Sequence, residues 1–342
     1  MAYTTINKST AHFNTKLYTG TGSTQTISGV GFQPDMTWVK DRDATEAHTL
    51  FDSARGATER LYANSTAAES TSAVSLTAWN SDGFAIGSGG EVNTSGDDFV
   101  SWNWKAGTTT GLSGGTITPA GYSINTTAKQ GIYKWAGTGA NGTIAHGLGS
   151  TPKMFIVKQL NSTAGWQVYH QGMGPTKVIY LNSTAQPDTS STVWNDTAPD
   201  ATTLSLGTNT GTNASGSDYI GYAFCDVKGY SRSGTFSGNA SATNGAFIYT
   251  GFRPAYVLVK AINYTAAWIM FDSKRLGYNL QNKVFTPNTT AVEEAAWMSD
   301  IYSNGFKPFS SDPAINGAYN YVYAAFAEFP IVSSNSKAGT GR

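Results

Sequence analysis

The chain has 342 residues, a formal net charge of zero and only 13% charged residues. This balance excludes an electrostatic nucleic-acid binder, which needs a basic patch or domain. A chain this long buries roughly three quarters of its unfolded surface, so it needs no covalent staples. Its one cysteine, Cys225, excludes an intrachain disulfide and a thiolate metal cluster.

Residues 1–16 are polar and read as an arm or an edge strand. They hold no apolar run, and no stretch of 18 apolar residues occurs, so neither a secretory signal nor a membrane helix is expected. A strand at Leu17-Tyr18-Thr19 runs into a glycine turn at Gly20. A turn at Gly31 to Pro34 then opens a second strand, Asp35-Met36-Thr37-Trp38-Val39-Lys40. Proline suits the first position of a strand, where its missing donor costs least.

That second strand recurs at Pro152 to Lys158 and at Pro254 to Lys260. Eight residues after each lysine come His48, Trp166 and Trp268. Asp52, His170 and Asp272 stand twelve residues after it, and Arg55, Met173 and Arg275 fifteen. A tryptophan follows in each copy: Trp79, Trp194 and Trp297. The turn Ser81-Asp82-Gly83-Phe84 is answered by Ser303-Asn304-Gly305-Phe306, while the middle copy carries Thr197-Ala198-Pro199-Asp200 instead. Each copy closes on an aromatic strand: Phe99 to Trp104, Tyr219 to Phe224, Tyr321 to Phe326. Internal repetition of this kind sets the architecture.

Side chains alternate along a strand. Val100, Trp102 and Trp104 therefore share one face, as do Ile220, Tyr222 and Phe224. The opposite face carries Ser101, Asn103, Gly221 and Ala223, small groups that permit close approach. Helices are scarce, with single turns expected at Ala54 to Arg60 and at Val292 to Met298. Short apolar strands separated by Gly, Asn and Asp turns indicate an all-β fold. The expected architecture is three tandem homologous β-sandwich repeats, jelly-roll or lectin-like. The units are 1–107 with an N-terminal arm, 116–230 and 234–332, followed by a polar tail at 333–342. Linkers are expected at Gly107 to Gly121 and at Lys228 to Gly234.

Catalytic signatures fail on context. Gly111-Leu112-Ser113-Gly114-Gly115 has the spacing of a nucleophile elbow but lies in a Thr/Gly/Ser linker, without the strand and helix an elbow needs. Gly137-Thr138-Gly139-Ala140-Asn141-Gly142 matches a dinucleotide glycine pattern, yet no helix follows to gather amides on a phosphate, so it reads as a hairpin turn. His12, His48, His146 and His170 pair with nothing at metal-ligand spacing. His48 stands where the other copies have Trp166 and Trp268, so it reads as packing. Asp82 and the Asp97-Asp98 pair read as solvated turn carboxylates, with a calcium loop as the alternative. No acid pair recurs as a glycosidase requires. An enzyme is not expected, nor a cofactor or metal.

The recurring Trp79, Trp194 and Trp297, with Asp82 and Asn304 in nearby turns, are the candidate glycan- or partner-binding residues. A ring beside amides and carboxylates holds a sugar face, though core packing accounts for the same pattern.

Taken together, His12-Phe13-Asn14-Thr15-Lys16-Leu17-Tyr18-Thr19-Gly20, Gly31-Phe32-Gln33-Pro34-Asp35, Ser81-Asp82-Gly83-Phe84, Ser95-Gly96-Asp97-Asp98 and Gly251-Phe252-Arg253-Pro254-Ala255 with Phe271-Asp272 carry a resemblance. The sequence resembles a family of bacteriophage virion proteins described as tail-fibre-like, common in marine and cyanobacterial phages. The resemblance implies a non-enzymatic structural protein on the outer surface of the particle, made in the host cytoplasm. Its partners would be other virion proteins, further copies of itself and host surface glycans, with no nucleic acid and no membrane insertion. A tail-fibre or receptor-binding component is the first expectation. A capsid or tail decoration (cement) protein is the alternative.

Overall fold

The computed structural model describes residues 3–332, without the side chains of Trp297 and Met298. After a short 3-10 turn at Ser9–Ala11, the first sequence copy forms β1 (Phe13–Thr19), β2 (Gln25–Ser28), β3 (Met36–Asp41), β4 (Thr49–Asp52), β5 (Gly56–Tyr62), β6 (Ser70–Thr71), β7 (Leu76–Asn80), β8 (Gly83–Ile86), α1 (Gly90–Asn93) and β9 (Asp98–Trp104). The second forms β10 (Gly121–Asn125), β11 (Gln130–Ala136), β12 (Gly142–Ala145), β13 (Pro152–Gln159), β14 (Gln167–His170), β15 (Lys177–Tyr180), β16 (Asp188–Thr189), β17 (Thr203–Leu206), α2 (Thr210–Asn213) and β18 (Asp218–Cys225). The third forms β19 (Ser231–Ser237), β20 (Ile248–Tyr249), β21 (Phe252–Ala261), β22 (Ile269–Asp272), β23 (Gln281–Val284), β24 (Glu294–Tyr302), β25 (Gly305–Pro308) and β26 (Asn320–Pro330).

The protein is all-β, built from several antiparallel sheets. The larger sheets run β1-β9-β3-β4-β5-β6, β10-β11-β18-β13-β14-β15-β16 and β19-β26-β21-β22. The lysine strands β3, β13 and β21 thus hold the same place, between the closing strand and a hairpin partner. The smaller sheets are β2-β8-β7, β12-β17 and β20-β25-β24-β23. The middle one has only two strands because copy 2 lacks the Ser-Asp/Asn-Gly-Phe turn that joins β7 to β8 and β24 to β25.

The central strands of each larger sheet, β3 and β9, β13 and β18, β21 and β26, are buried on both faces. One face meets its own smaller sheet. Phe99 of β9 lies there with Val39, Phe51 and Phe84, and Tyr219 and Tyr321 have corresponding apolar neighbours in copies 2 and 3. Gly221 lies on this face of β18, where an added Cβ would come within 2.6 Å of the Phe155 ring. That is the close approach expected of the small-residue face.

The other faces of the three larger sheets meet in one shared core. Trp104, Phe224 and Phe326, equivalent residues of the closing strands, form a triangle with ring centroids 5.4–6.3 Å apart. Met36, Met154 and Tyr256 surround it, as do Trp38, Ile156 and Leu258, each set contributed once by every copy. The chain therefore closes on itself about a pseudo-threefold axis.

Three local expectations are corrected. The segments expected as helical turns are strands β5 and β24. Pairing with β4 and β23 decides their conformation, since tertiary context outweighs weak propensity. The real helices are the single turns α1 and α2. The stretch Lys228 to Gly234 is not a linker. Gly229, at φ +78°, makes a tight turn, Val227 and Ser231 exchange backbone hydrogen bonds, and β19 begins at once. At the other linker the residues up to Ala120 join the copies as expected, but Gly121 already opens β10, an extra strand along the edge of β11.

Candidate functional site

The candidate tryptophans do not form equivalent sites. Trp194 is 2% exposed inside the copy 2 core, edge-on to Tyr169 and donating from Nε1 to the Lys177 carbonyl. Trp79 is half-buried on β7 against the copy 1 core, and its Nε1 is enclosed without a partner among the described residues. The Trp297 side chain lies outside the described residues; its backbone is in β24. Asp82 and Asn304 lock equivalent turns. The Asp82 carboxylate accepts from the amides of Gly29 and Gly31, which holds it below the usual carboxylate range. The Asn304 carbonyl accepts from Thr250 and Gly251. No trio of His, Cys, Asp or Glu able to hold a metal occurs among the described residues.

The ionisable groups that repeat along the sequence instead meet where copies touch. Asp52 Oδ2 takes the Arg55 Nε at 2.6 Å and the hydroxyl of Tyr222, on the copy 2 closing strand, at 2.7 Å. Asp272 Oδ2 takes the Arg275 Nε at 2.6 Å and the indole Nε1 of Trp102, on the copy 1 closing strand, at 3.2 Å. Asp52, Arg55, Asp272 and Arg275 have no exposed side-chain surface. Burial alone would pull Arg55 down, but Asp52, Tyr222 and Glu69 hold it well above its ordinary value.

In copy 2 the carboxylate is replaced by His170. The residue facing it at the position of Trp102 and Tyr222 is Ala324, which offers no donor. The His170 Nε2 lies 3.1 Å from the Tyr323 carbonyl instead, and burial lowers its pKa to about 4. With no carboxylate to balance, the arginine becomes Met173, packed against the shared core.

The lysines and their followers tie the same contacts. Lys158 Nζ donates to the Thr66 carbonyl of copy 1, and Lys260 Nζ to the Thr184 carbonyl of copy 2. Trp166 Nε1 donates to Tyr62 and Trp268 Nε1 to Tyr180. In copy 1, Lys40 lies over the Phe285 ring of copy 3, and His48 meets that ring edge-on at 5.6 Å. Arg42 closes the circle by pairing with Glu293. Burial lowers Lys40, Lys158 and Lys260 to about 8.

The sequence did not show these groups as joined, yet it carried the signal. Asp-x-x-Arg in copies 1 and 3 changes as a unit to His-x-x-Met in copy 2.

A recess of about 610 Å3 lies between copies 2 and 3. Its floor is β19, from Ser231 to Thr235, and its walls include Gly172, Asp226, Lys228 and the rings of Tyr3, Tyr249 and Tyr323. The Tyr3 hydroxyl donates to the Gly251 carbonyl, and burial with a hydrogen bond to Tyr249 raises it to about 12. Lys228 stands over the Tyr3 ring and Arg232 over the Tyr249 ring. Asp226 accepts the Ser233 amide, and burial raises its carboxyl above the usual range. Hydroxyls, two cations and three rings can bind; nothing here is arranged as a nucleophile with its base.

Residues 8–330 match the profile of a domain of unknown function, DUF7483, and the chain belongs to that family. No curated protein matches the chain, and no solved structure does.

Proposed function

We propose that the chain is a non-enzymatic structural protein on the outer surface of a bacteriophage particle, a tail-fibre or receptor-binding component that contacts host surface glycans. In this reading each copy is a β-sandwich of jelly-roll or lectin-like type, and the three are locked together by the contacts about the axis. One observation carries the binding role. Of the large apolar side chains exposed among the described residues, Phe247, Tyr249, Tyr264, Tyr278 and Leu280 all lie on copy 3, whereas copies 1 and 2 contribute only Val74. Tyrosine rings with an apolar body and a polar rim suit sugar faces. Their concentration on one copy gives the molecule a distinct binding end.

Imaging the intact particle tests the reading: density for this chain at a tail tip or baseplate is the expected result. Tyr278→Ala should weaken retention on host surface polysaccharide while leaving the melting temperature in place. Turnover of polysaccharide or peptidoglycan by the purified protein, abolished by one carboxylate substitution, would refute the non-enzymatic assignment.

A second reading is a capsid or tail decoration protein that binds only other virion proteins. The closed packing of all three copies about one axis favours it, because such a body suits a lattice position. A regular array over the head shell would select this reading.

A further inference from the structure

Copies 2 and 3 differ at one sheet edge. In copy 2 the strand β11 is covered by β10, which pairs with it from Gly121↔Lys134 to Asn125↔Gln130. In copy 3 the equivalent strand, β19, is the last of its sheet. An antiparallel ladder sends backbone groups alternately to each side. The Ser231 N–H and C=O bond Val227, away from β26, so Ser233 and Thr235 direct theirs outward as well. Asp226 takes the Ser233 N–H, leaving the Ser233 carbonyl and both Thr235 groups facing the recess. Lys134, the copy 2 counterpart of Thr235, uses its carbonyl to accept the Ala120 amide at the start of β10.

The recess is the place where a second β10 would lie. In copy 2 the start of β10 abuts the preceding copy: a Cβ on Gly121 would stand 3.4 Å from the Ala54 carbonyl. Ala54 lies two residues after Asp52; its counterpart two residues after His170 is Gly172, which lines the recess. We infer that the β19 edge is a docking slot for an extended peptide of a partner protein, which adds as an antiparallel strand and brings an acidic side chain to Arg232 and Lys228. The chain itself displays the mode of binding, since β10 occupies the homologous slot. Strand addition draws its affinity from main-chain bonds and its specificity from side-chain pockets. The charge preference follows from Arg232 and Lys228, two cations against the one carboxylate of Asp226 in the recess, neither of them in an ion pair among the described residues. The slot goes beyond the functional readings above and holds under either.

The test is selection of a displayed library of linear nine-residue peptides on the full-length protein, followed by titration of the enriched peptides. Thr235→Pro removes the outward donor without touching the bonds to β26, and Arg232→Ala removes one cation. Carboxylate-bearing peptides should be enriched, should lose at least tenfold in affinity with each variant, and should protect the Thr235 amide from hydrogen exchange. Failure to enrich any peptide, or affinities that both variants leave unchanged, would overturn the inference. So would a concentration-dependent homodimer abolished by Thr235→Pro, or oligosaccharide binding lost with Arg232→Ala while peptides do not bind. If Thr235→Pro melts below the wild type, Arg232→Ala and the exchange measurement still decide.

Discussion

The contact between copies 1 and 2 and the contact between copies 2 and 3 share one geometry and differ in chemistry. At the first, a buried carboxylate is balanced by its own arginine and by a tyrosine hydroxyl from the next copy. At the second, a neutral imidazole meets a backbone carbonyl, and a methionine fills the arginine's place. The difference shows that the polar residue twelve positions after the lysine answers to the closing strand it faces. Where that strand offers Trp102 or Tyr222, the residue is an acceptor; where it offers Ala324, it is histidine.

The largest effect should come from breaking what both contacts share. Phe224→Ala opens the aromatic triangle and should cost about 3–5 kcal/mol in denaturant titration, as for other buried aromatics cut to alanine. A loss near that expected for a surface site would mean the three closing strands do not meet. Next, Asp52→Ala strips Arg55 of its fully buried counter-ion, leaving only the part-exposed Glu69, and should cost about 3–5 kcal/mol, whereas His170→Ala removes two hydrogen bonds, to the Tyr323 carbonyl and from the Gly172 amide, and should cost about 1–3 kcal/mol. Equal losses would erase the distinction between the contacts.

The third prediction concerns pH. His170 has its folded pKa lowered from 6.5 to about 4, so between those values the unfolded chain binds the proton and the folded chain does not. Stability falls as pH drops through that window, by roughly 3 kcal/mol for this group alone, and changes no further below it. His170→Gln should remove this one-proton contribution from the slope, the other histidines lowered by burial keeping theirs, while Asp52→Ala should leave it in place. The smallest effect expected is from Tyr222→Phe, about 1–2 kcal/mol, since it removes one donor to a carboxylate that keeps its arginine.

Much of this was legible in the sequence, and the limits have physical causes. The spacing of Lys40, Lys158 and Lys260 to their closing strands identified equivalent elements, because strands that pair in one way keep their register. The continuous apolar runs Met154 to Val157 and Tyr256 to Val259 suit strands covered on both faces, and Ile156, Val157, Leu258 and Val259 are buried, as are Trp38 and Val39 at the equivalent positions. The shared core did not follow, since a strand covered by its own small sheet and one covered by a neighbouring copy carry the same pattern. Trp79 and Trp194 looked equivalent by spacing alone. Copy 2 has no counterpart of β7, so Trp194 falls in irregular chain and turns into the core. The recess was invisible because it is defined by a missing strand, and the linker expected at Gly107 to Gly121 ended where β10 begins.

The presence of β10 beside only one of the three equivalent edges sets the valency of the molecule. Three identical chains about a true threefold axis would have to carry three slots or none. Joining the copies in one polypeptide lifts that constraint: β11 is covered, while β1 and β19 are each last in their sheets and can differ in what they accept. The valency of such a body is set edge by edge rather than by symmetry.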